Sequence, residues 1–292
     1  AGPAGLSAAL TLDRRGHQVT LFERSHQIGG QLNLARMVPG KEEFDALIGW
    51  YRAMLSHSRV DLRLNSRATP DLLDGFDEIV MATGVRPRMP EIATAPNSQV
   101  VTYAEILSGE VTAGGRVAII GAGGIGFDVA EYLVQPRPSP TVRPDDWRAE
   151  WGVVDPSLWR GGLKTAVPGL PARTVTLMQR KAERPGRGLG KTTGWIHRAQ
   201  LHAKGVEMIG GVNYERIESA GVRVSFGPGR ENQRLIAADM VVLCAGQESE
   251  TRLAHALQVD GRAVHVIGGA DLAAELDAKR AIDQGTRLAA QL

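Results

Sequence analysis

Three groups of residues in this sequence have types and spacing suited to holding phosphates and sugars. In "GGRVAIIGAGGIGFDVAEYL", Gly121, Gly123 and Gly126 follow a short apolar run and lead into a helical pattern. Strand, glycine turn and helix in that order set backbone N–H groups and a helix N-terminus against a pyrophosphate, with glycines admitting the close approach. Earlier, "AGPAGLSAALTLDRRGHQVTLFE" carries Gly2 and Gly5 at the spacing of the last two glycines of that pattern, and Glu23 lies 18 residues after Gly5. A carboxylate about 20 residues beyond such glycines accepts hydrogen bonds from the adenosine ribose hydroxyls. The third group is "RTVTLMQRK", whose apolar run ends in Arg180 and Lys181 at the position equivalent to Glu23. A carboxylate repels a 2′-phosphate, whereas a guanidinium and an ammonium attract it. Glu23 therefore suits the unphosphorylated ribose of FAD, and Arg180 with Lys181 suits NADPH.

Smaller signals lie between these groups. The paired glycines of "IGGQ", including Gly30, let backbone approach a ligand closely. Lys41 in "PGKEEF" offers a point charge for a phosphate or for the adenine end of a ligand. Ala82, Thr83 and Gly84 make a small-residue turn after the apolar run "EIVM", which either passes beside a dinucleotide or simply ends a strand. Asp271 follows paired glycines in "VIGGADLAAELDAKRAIDQGTRLAAQL" and opens an amphipathic segment. It either caps that helix or accepts a hydrogen bond from a flavin ribityl hydroxyl. The triplet Gly190-Lys191-Thr192 imitates the end of a Walker A loop, but Pro185 stands where that motif needs glycine, so an ATP site is rejected.

The elements that must position these residues repeat one plan. Glycine turn, helix over residues 4–15 and the strand "HQVTLFE" form a first unit, continued by strands in "VDLRLNSRAT" and "FDEIVMATG". A complete second unit starts at "GGRVAIIGAGG" and closes through "GVEMIGGVNYERIE", "GVRVSF" and "ADMVVLCAG". The final segment then returns with another strand and helix. The expected class is α/β: two Rossmann-like dinucleotide-binding domains, with the NADPH domain inserted in a discontinuous FAD domain. The expected boundaries are 1–110 and 247–292 for the FAD domain and 111–246 for the NADPH domain. Residues 136–172, proline-rich and holding Trp147, Trp151 and Trp159, interrupt the second unit as an excursion. Such a segment caps the cofactor cleft, forms an interdomain contact or packs on itself as a flap.

Composition narrows the classes. The 34 basic and 32 acidic residues nearly balance, and no basic stripe interleaved with aromatics marks a nucleic-acid surface. No apolar run reaches membrane-spanning length, and no signal peptide is recognisable. The one cysteine, Cys244 in "DMVVLCAG", excludes a disulfide, a C-x-x-C zinc site or an iron–sulfur cluster held by these residues alone, and reads as a buried strand-end residue.

The split first unit, the inserted second unit, "ATG", "CAG" and the terminal "GGAD" follow the plan of two-dinucleotide-binding flavoproteins. More narrowly, "IGGQ", "PGKEEF", "GAGGIGFD", "QRKAERPG", "GLGKTTGWIHR", "CAGQE" and "IGGADLAAELDAKRAIDQGTRLA" resemble the C-terminal half of the bacterial NADPH-dependent 2,4-dienoyl-CoA reductases. The resemblance spans nearly the whole sequence. It implies an upstream (β/α)8 barrel carrying FMN and the dienoyl-CoA site, and a cysteine cluster holding a 4Fe-4S centre. The sequence is then expected to start just inside an FAD motif and to lack barrel and cluster. The resemblance adds Ala4 in the phosphate turn, Gln31 after the paired glycines, Lys41, and Ala68 with backbone groups at the adenine edge, and it matches Arg180 and Lys181 to the 2′-phosphate pair. No catalytic residue is inherited, because the family's catalytic tyrosine and histidine lie in the barrel. The implied role is cytoplasmic electron input from NADPH through FAD in unsaturated fatty acid β-oxidation. Another barrel-fused enoate reductase, a free-standing NADPH-dependent flavoreductase and a non-catalytic nucleotide-binding module stay open as alternatives.

Overall fold

The structure is a computed structural model that describes residues 1–136, 138–274 and 277–292. The chain begins with α1 (Pro3–Arg15), β1 (Thr20–Phe22), α2 (Leu32–Ala35), α3 (Phe44–Ser56), β2 (Asp61–Arg63) and β3 (Ile79–Met81). It continues through β4 (Val85–Pro87), β5 (Val100–Thr102), α4 (Tyr103–Ser108), β6 (Arg116–Ile120), α5 (Gly124–Val134), α6 (Pro144–Trp151) and β7 (Thr174–Met178). Next come α7 (Gly194–Ala203), β8 (Glu207–Ile209), β9 (Val212–Glu218), β10 (Gly221–Phe226), β11 (Glu231–Ala237) and β12 (Met240–Leu243). The return segment holds β13 (Gln247–Ser249), α8 (Arg252–Val259), β14 (Val264–Val266) and α9 (Ala278–Gln291). Two units result: residues 1–36, 42–86 and 247–292 form one, and residues 37–41 and 87–246 the other.

In the first unit α1 starts with proline in its first turn, where a missing N–H costs nothing, and stops at Gly16 in the left-handed region. Its small residues let α9 approach closely. Ala4 and Ala8 pack with Ala281 and Ala289, and a Cβ on Gly285 would stand 2.3 Å from the Ala4 carbonyl oxygen. Strand pairing crosses the whole inserted sequence: β14 runs parallel to β3, with Val264 opposite Ile79, while β1 pairs in parallel with β2. The discontinuous unit is therefore joined by backbone hydrogen bonds as well as by helix packing.

The second unit is built on a five-stranded parallel sheet in the order β5-β12-β6-β7-β8. β6 and β7 are buried along four successive residues each, as strands covered on both faces must be. The antiparallel meander β9–β10–β11 lies on this sheet, with Ile120, Met178, Val222, Val224 and Val241 among the core residues. Residues 87–110, which the sequence groups with the first domain, belong here instead. β5 pairs with β12, Val100 facing Val241, and α4 carries a capping box between Thr102 and Glu105. A three-residue apolar strand carries no local mark of which sheet it will join, so the boundary moves to residue 86.

The excursion packs on its own unit. Ala172 N–H donates to the Val134 carbonyl, returning the chain beside the end of α5. Lys204 Nζ meets Glu150 Oε1 at 2.6 Å and donates to the Gly169 carbonyl, with the lysine side chain 1% and the glutamate 10% exposed. Among the described residues no helix is long and apolar enough to cross a membrane, and no cluster of His, Cys, Asp and Glu could hold a metal ion.

Removing one partner of a buried ion pair strands the other charge, at about 3–5 kcal/mol. Lys204→Met should lower the stability of the second unit by about that amount and speed proteolysis within 136–172. Urea unfolding with limited proteolysis checks this, and an unchanged midpoint would show that Glu150 is solvated without its cation.

Candidate functional site

The second unit's glycine turn is shaped by what lies behind it. Gly121 has φ +111°, and a Cβ there would sit 2.2 Å from the Cys244 carbonyl oxygen. A Cβ on Gly126 would stand 1.9 Å from the Gly121 carbonyl oxygen, so strand, turn and helix can close only with hydrogen at both positions. Gly123, at the N-cap of α5, meets nothing within 4 Å. Two glycines thus set the turn and the third presents bare backbone outward, the division of labour that a pyrophosphate at a helix N-terminus requires.

Arg180 and Lys181 are both exposed just past β7. Lys181 Nζ is 3.9 Å from Glu183, too far and too solvated to engage it firmly. Among the described residues Arg180 makes no ion pair. Its charge reaches Tyr214 at the start of β9, whose hydroxyl burial raises in pKa while Arg180 pulls it down and the Gly121 amide adds a smaller pull. Strand end, glycine turn and Tyr214 are therefore neighbours. Lys41 is not left free for a ligand: its ammonium bonds both Asp128 oxygens on α5, at 2.8 and 2.7 Å. The expected phosphate or adenine contact is replaced by an ion pair, because Asp128 is one helical turn into α5 and on the side that residues 37–41 cover. Cys244 is buried, and burial pushes its thiol far above the ordinary range.

In the first unit Gly2 is the N-cap of α1, and Gly30 is stacked on it, since a Cβ at Gly30 would lie 2.9 Å from Gly2 Cα. Gly5 backs onto Ala82. Gly84, at φ +74°, accepts from Glu250 N–H of the return segment. Glu23 Oε1 accepts from Ser25 N–H and Oγ–H, at 2.8 and 2.6 Å. Burial raises its carboxyl pKa, and the hydrogen bonds from Ser25 lower it. Gln31 is half-buried ahead of α2.

Three placements differ from the sequence reading. Ala4 lies in the first turn of α1 with its methyl against Gly268, so it serves the α1–α9 contact rather than lining the turn's outer surface. The strand before Ala68 ends at Arg63, and Ala68 sits beyond it against Leu73, Ile79 and Leu257. Asp271 does not cap the terminal helix. Asp277 does, accepting from Arg280 N–H, whereas Asp271 accepts from Gln284, whose amide oxygen takes the Gly268 N–H. A second aspartate six residues on competed for the cap, and only the helix start decides between them.

A half-buried pair carries no mark of its pairing in the sequence. Glu131 of α5, with its side chain 2% exposed, lies 2.6 Å from His197 Nδ1 of α7. Asp128 and Glu131 at i, i+3 share a face of α5, a legible signal. Their partners Lys41 and His197 are 87 and 66 residues away and gave none.

A family described as pyridine nucleotide-disulphide oxidoreductase matches residues 1–269. The chain is 30% identical over 279 residues to a metal reductase of Desulforamulus reducens, covering 92% of this chain and 40% of that protein. It is 35% identical over 147 residues to an NADH oxidase of Thermoanaerobacter brockii, covering 48% of this chain and 23% of the oxidase. The solved structure of 2-naphthoyl-CoA reductase matches with a TM-score of 0.80 at 25% identity, over 100% of this chain and 39% of that one. Thioredoxin reductase of T. acidophilum, with a TM-score of 0.69 at 14% identity over 100% of this chain and 95% of that one, shares the fold. The chain thus spans less than half the length of the metal reductase, the NADH oxidase and the naphthoyl-CoA reductase.

The glycine turn separates folding from binding. Gly126→Ala forces a clash with the Gly121 carbonyl and should cost about 3 kcal/mol or more. Gly123→Ala, facing open space, should leave stability within about 0.5 kcal/mol and weaken dinucleotide binding. Denaturation and nucleotide titration of both variants check this, and equal destabilisation would refute the assigned roles.

Proposed function

Because the chain belongs to the pyridine nucleotide-disulphide oxidoreductase family, whose fold implies FAD and a pyridine nucleotide, we propose that it passes hydride from NADPH to FAD as the electron-input part of a longer reductase. The residues present suit both groups: Gly121 and Gly126 leave no room for a side chain, Gly123 is open, and Gly30 is stacked on Gly2. When bound, the pyridine nucleotide supplies the hydride and the flavin accepts it. The chain's own part is to bind and orient. Gly123 and the start of α5 present backbone to the NADPH pyrophosphate. Gly2, Gly5 and Gly30 do the same for FAD, with Glu23 accepting from its ribose. Asp271, steadied by Gln284, accepts from the ribityl chain, while Gln31, Gly84 and the backbone near Ala68 complete the flavin's surroundings.

The observation that carries the choice of coenzyme is the exposed pair Arg180 and Lys181 beside the glycine turn, with no ion pair on the guanidinium among the described residues. The chain offers no internal dithiol as electron acceptor, since the sequence has one cysteine and that thiol is buried. Electrons therefore continue to an acceptor elsewhere in the longer protein, which we take to be a 4Fe-4S cluster and an FMN barrel reducing a 2,4-dienoyl-CoA. Support for a CoA thioester comes from the likeness to a reductase named for 2-naphthoyl-CoA. On this reading the module works in the cytoplasm, where reduced pyridine nucleotide and acyl-CoA thioesters occur.

Each charge-assisted hydrogen bond to a phosphate contributes about 1.5–3 kcal/mol. Arg180→Ala/Lys181→Ala should weaken NADPH by roughly one to three orders of magnitude, allowing for partial additivity, and leave NADH nearly unchanged. Equal loss of both coenzymes would make the pair structural, and an unchanged preference would move phosphate recognition to Arg187 or Lys191. Separately, the chain supplied with FAD and NADPH should reduce an artificial acceptor while the absorbance of a dienoyl-CoA stays constant. Its turnover without further domains would overturn the assignment of the chain as input alone.

A further inference from the structure

Glu131 and His197 join the two helices that flank the second unit's nucleotide turn. α5 starts at that turn, and α7 follows the glycine-rich stretch 186–193. The stretch is fastened to both helices. Arg198 Nη1, next to His197, donates to the Gly186 carbonyl at 2.9 Å, and Gly186, at φ +77°, lies so near Phe127 of α5 that a Cβ would stand 2.6 Å from its ring. Whatever shifts α7 against α5 therefore shifts residues 186–193, with Arg187 and Lys191, relative to Gly121–Gly126.

The charged groups facing the pair come from three segments: Asp128 and Glu131 on α5, His197 on α7, and Lys41 from residues 37–41. With His197 protonated, the four cancel. Once it loses its proton, a net negative charge is left inside the helix pair, about 10 Å along α5 from the turn. The pair's own titration favours the proton. Burial pushes the Glu131 carboxyl up against the pull of His197, and the hydrogen bond to Glu131 holds the His197 imidazole above its ordinary value. The His197 contribution to stability is full below the ordinary imidazole value of about 6.5 and is lost as pH rises through the raised one, whereas the Glu131 contribution is full only below the ordinary carboxyl value of about 4.5.

We propose that Glu131 and His197 are positioning residues for the pyridine nucleotide, holding α7 and residues 186–193 against α5 and making nucleotide affinity fall when the imidazolium loses its proton. The proposal rests on the NADPH reading of the second unit. Two consequences of deprotonation act in the same direction: the clasp between the helices weakens, and the uncompensated Glu131 carboxylate repels the nucleotide phosphates. A unit charge roughly 10 Å away at an effective dielectric of about 20 changes affinity roughly tenfold.

The test is the NADPH dissociation constant of the full chain between pH 7 and 9, where the nucleotide's 2′-phosphate is already doubly ionised. The wild type should bind about tenfold more weakly at the alkaline end, and Glu131→Gln, which creates no buried anion, should be flat across the range. Reciprocity supplies a second measurement on the unaltered protein: saturating NADPH should move the His197 imidazole titration, followed by NMR, upward by about one pH unit. A variant that keeps the wild-type slope, or an imidazole titration indifferent to NADPH, would overturn the positioning role while leaving the NADPH reading intact. A folded wild type that binds no NADPH at any pH would defeat that reading and this inference together.

Discussion

The contact on which the second unit depends is between Gly126 and the carbonyl of Gly121. With only 1.9 Å between that oxygen and the place a Cβ would take, α5 approaches its own entry strand as near as backbone allows. That closeness drives α5 down onto β7 and sets its first turn above the ends of β6 and β12. Gly121, with the Cys244 carbonyl 2.2 Å from its own missing Cβ, extends the constraint to the neighbouring strand. The position of bare backbone at Gly123 is a consequence of packing behind it, and any ligand chemistry there inherits its precision from steric exclusion.

Around that turn the charges follow a division. Arg180 and Lys181 stay exposed, which keeps their attraction available to an anion in solution, where an enclosed pair would already be neutralised. Lys41, Asp128, Glu131 and His197 instead satisfy one another. Buried or half-buried charges are costly unless paired, and these four bind together three segments far apart in sequence. The excursion uses the same device at Lys204 and Glu150. The first unit relies more on small residues: alanines and glycines on α1 and α9 bring the two helices together across the inserted sequence.

On the proposed reading, these features serve a carrier of electrons more than a chemist of substrates. Nucleotide cofactors perform hydride transfer, and the chain needs only to hold them in register. The sole cysteine is sealed in a strand end, and among the described residues there is no group of metal ligands. The metal reductase and the naphthoyl-CoA reductase that the chain matches are more than twice as long.

Much of this was legible in the sequence because it is local. Gly121, Gly123 and Gly126 after a short apolar run announce a strand, turn and helix, and alternation of apolar runs with helical patterns announces the α/β class. The contrast of Glu23 with Arg180 and Lys181 is a statement about charge at equivalent strand ends, readable without coordinates. What the sequence could not decide is which partners distant residues choose. β5 joined the second unit because β12 offered an open edge, Lys41 was claimed by Asp128, and Asp277 took the cap that Asp271 also suited. The Glu131–His197 pair exists only because α5 and α7 pack together. Such choices are settled by competition among contacts that form at once in the folded chain, where burial makes each unpaired charge or open strand edge expensive, and no local spacing records the outcome.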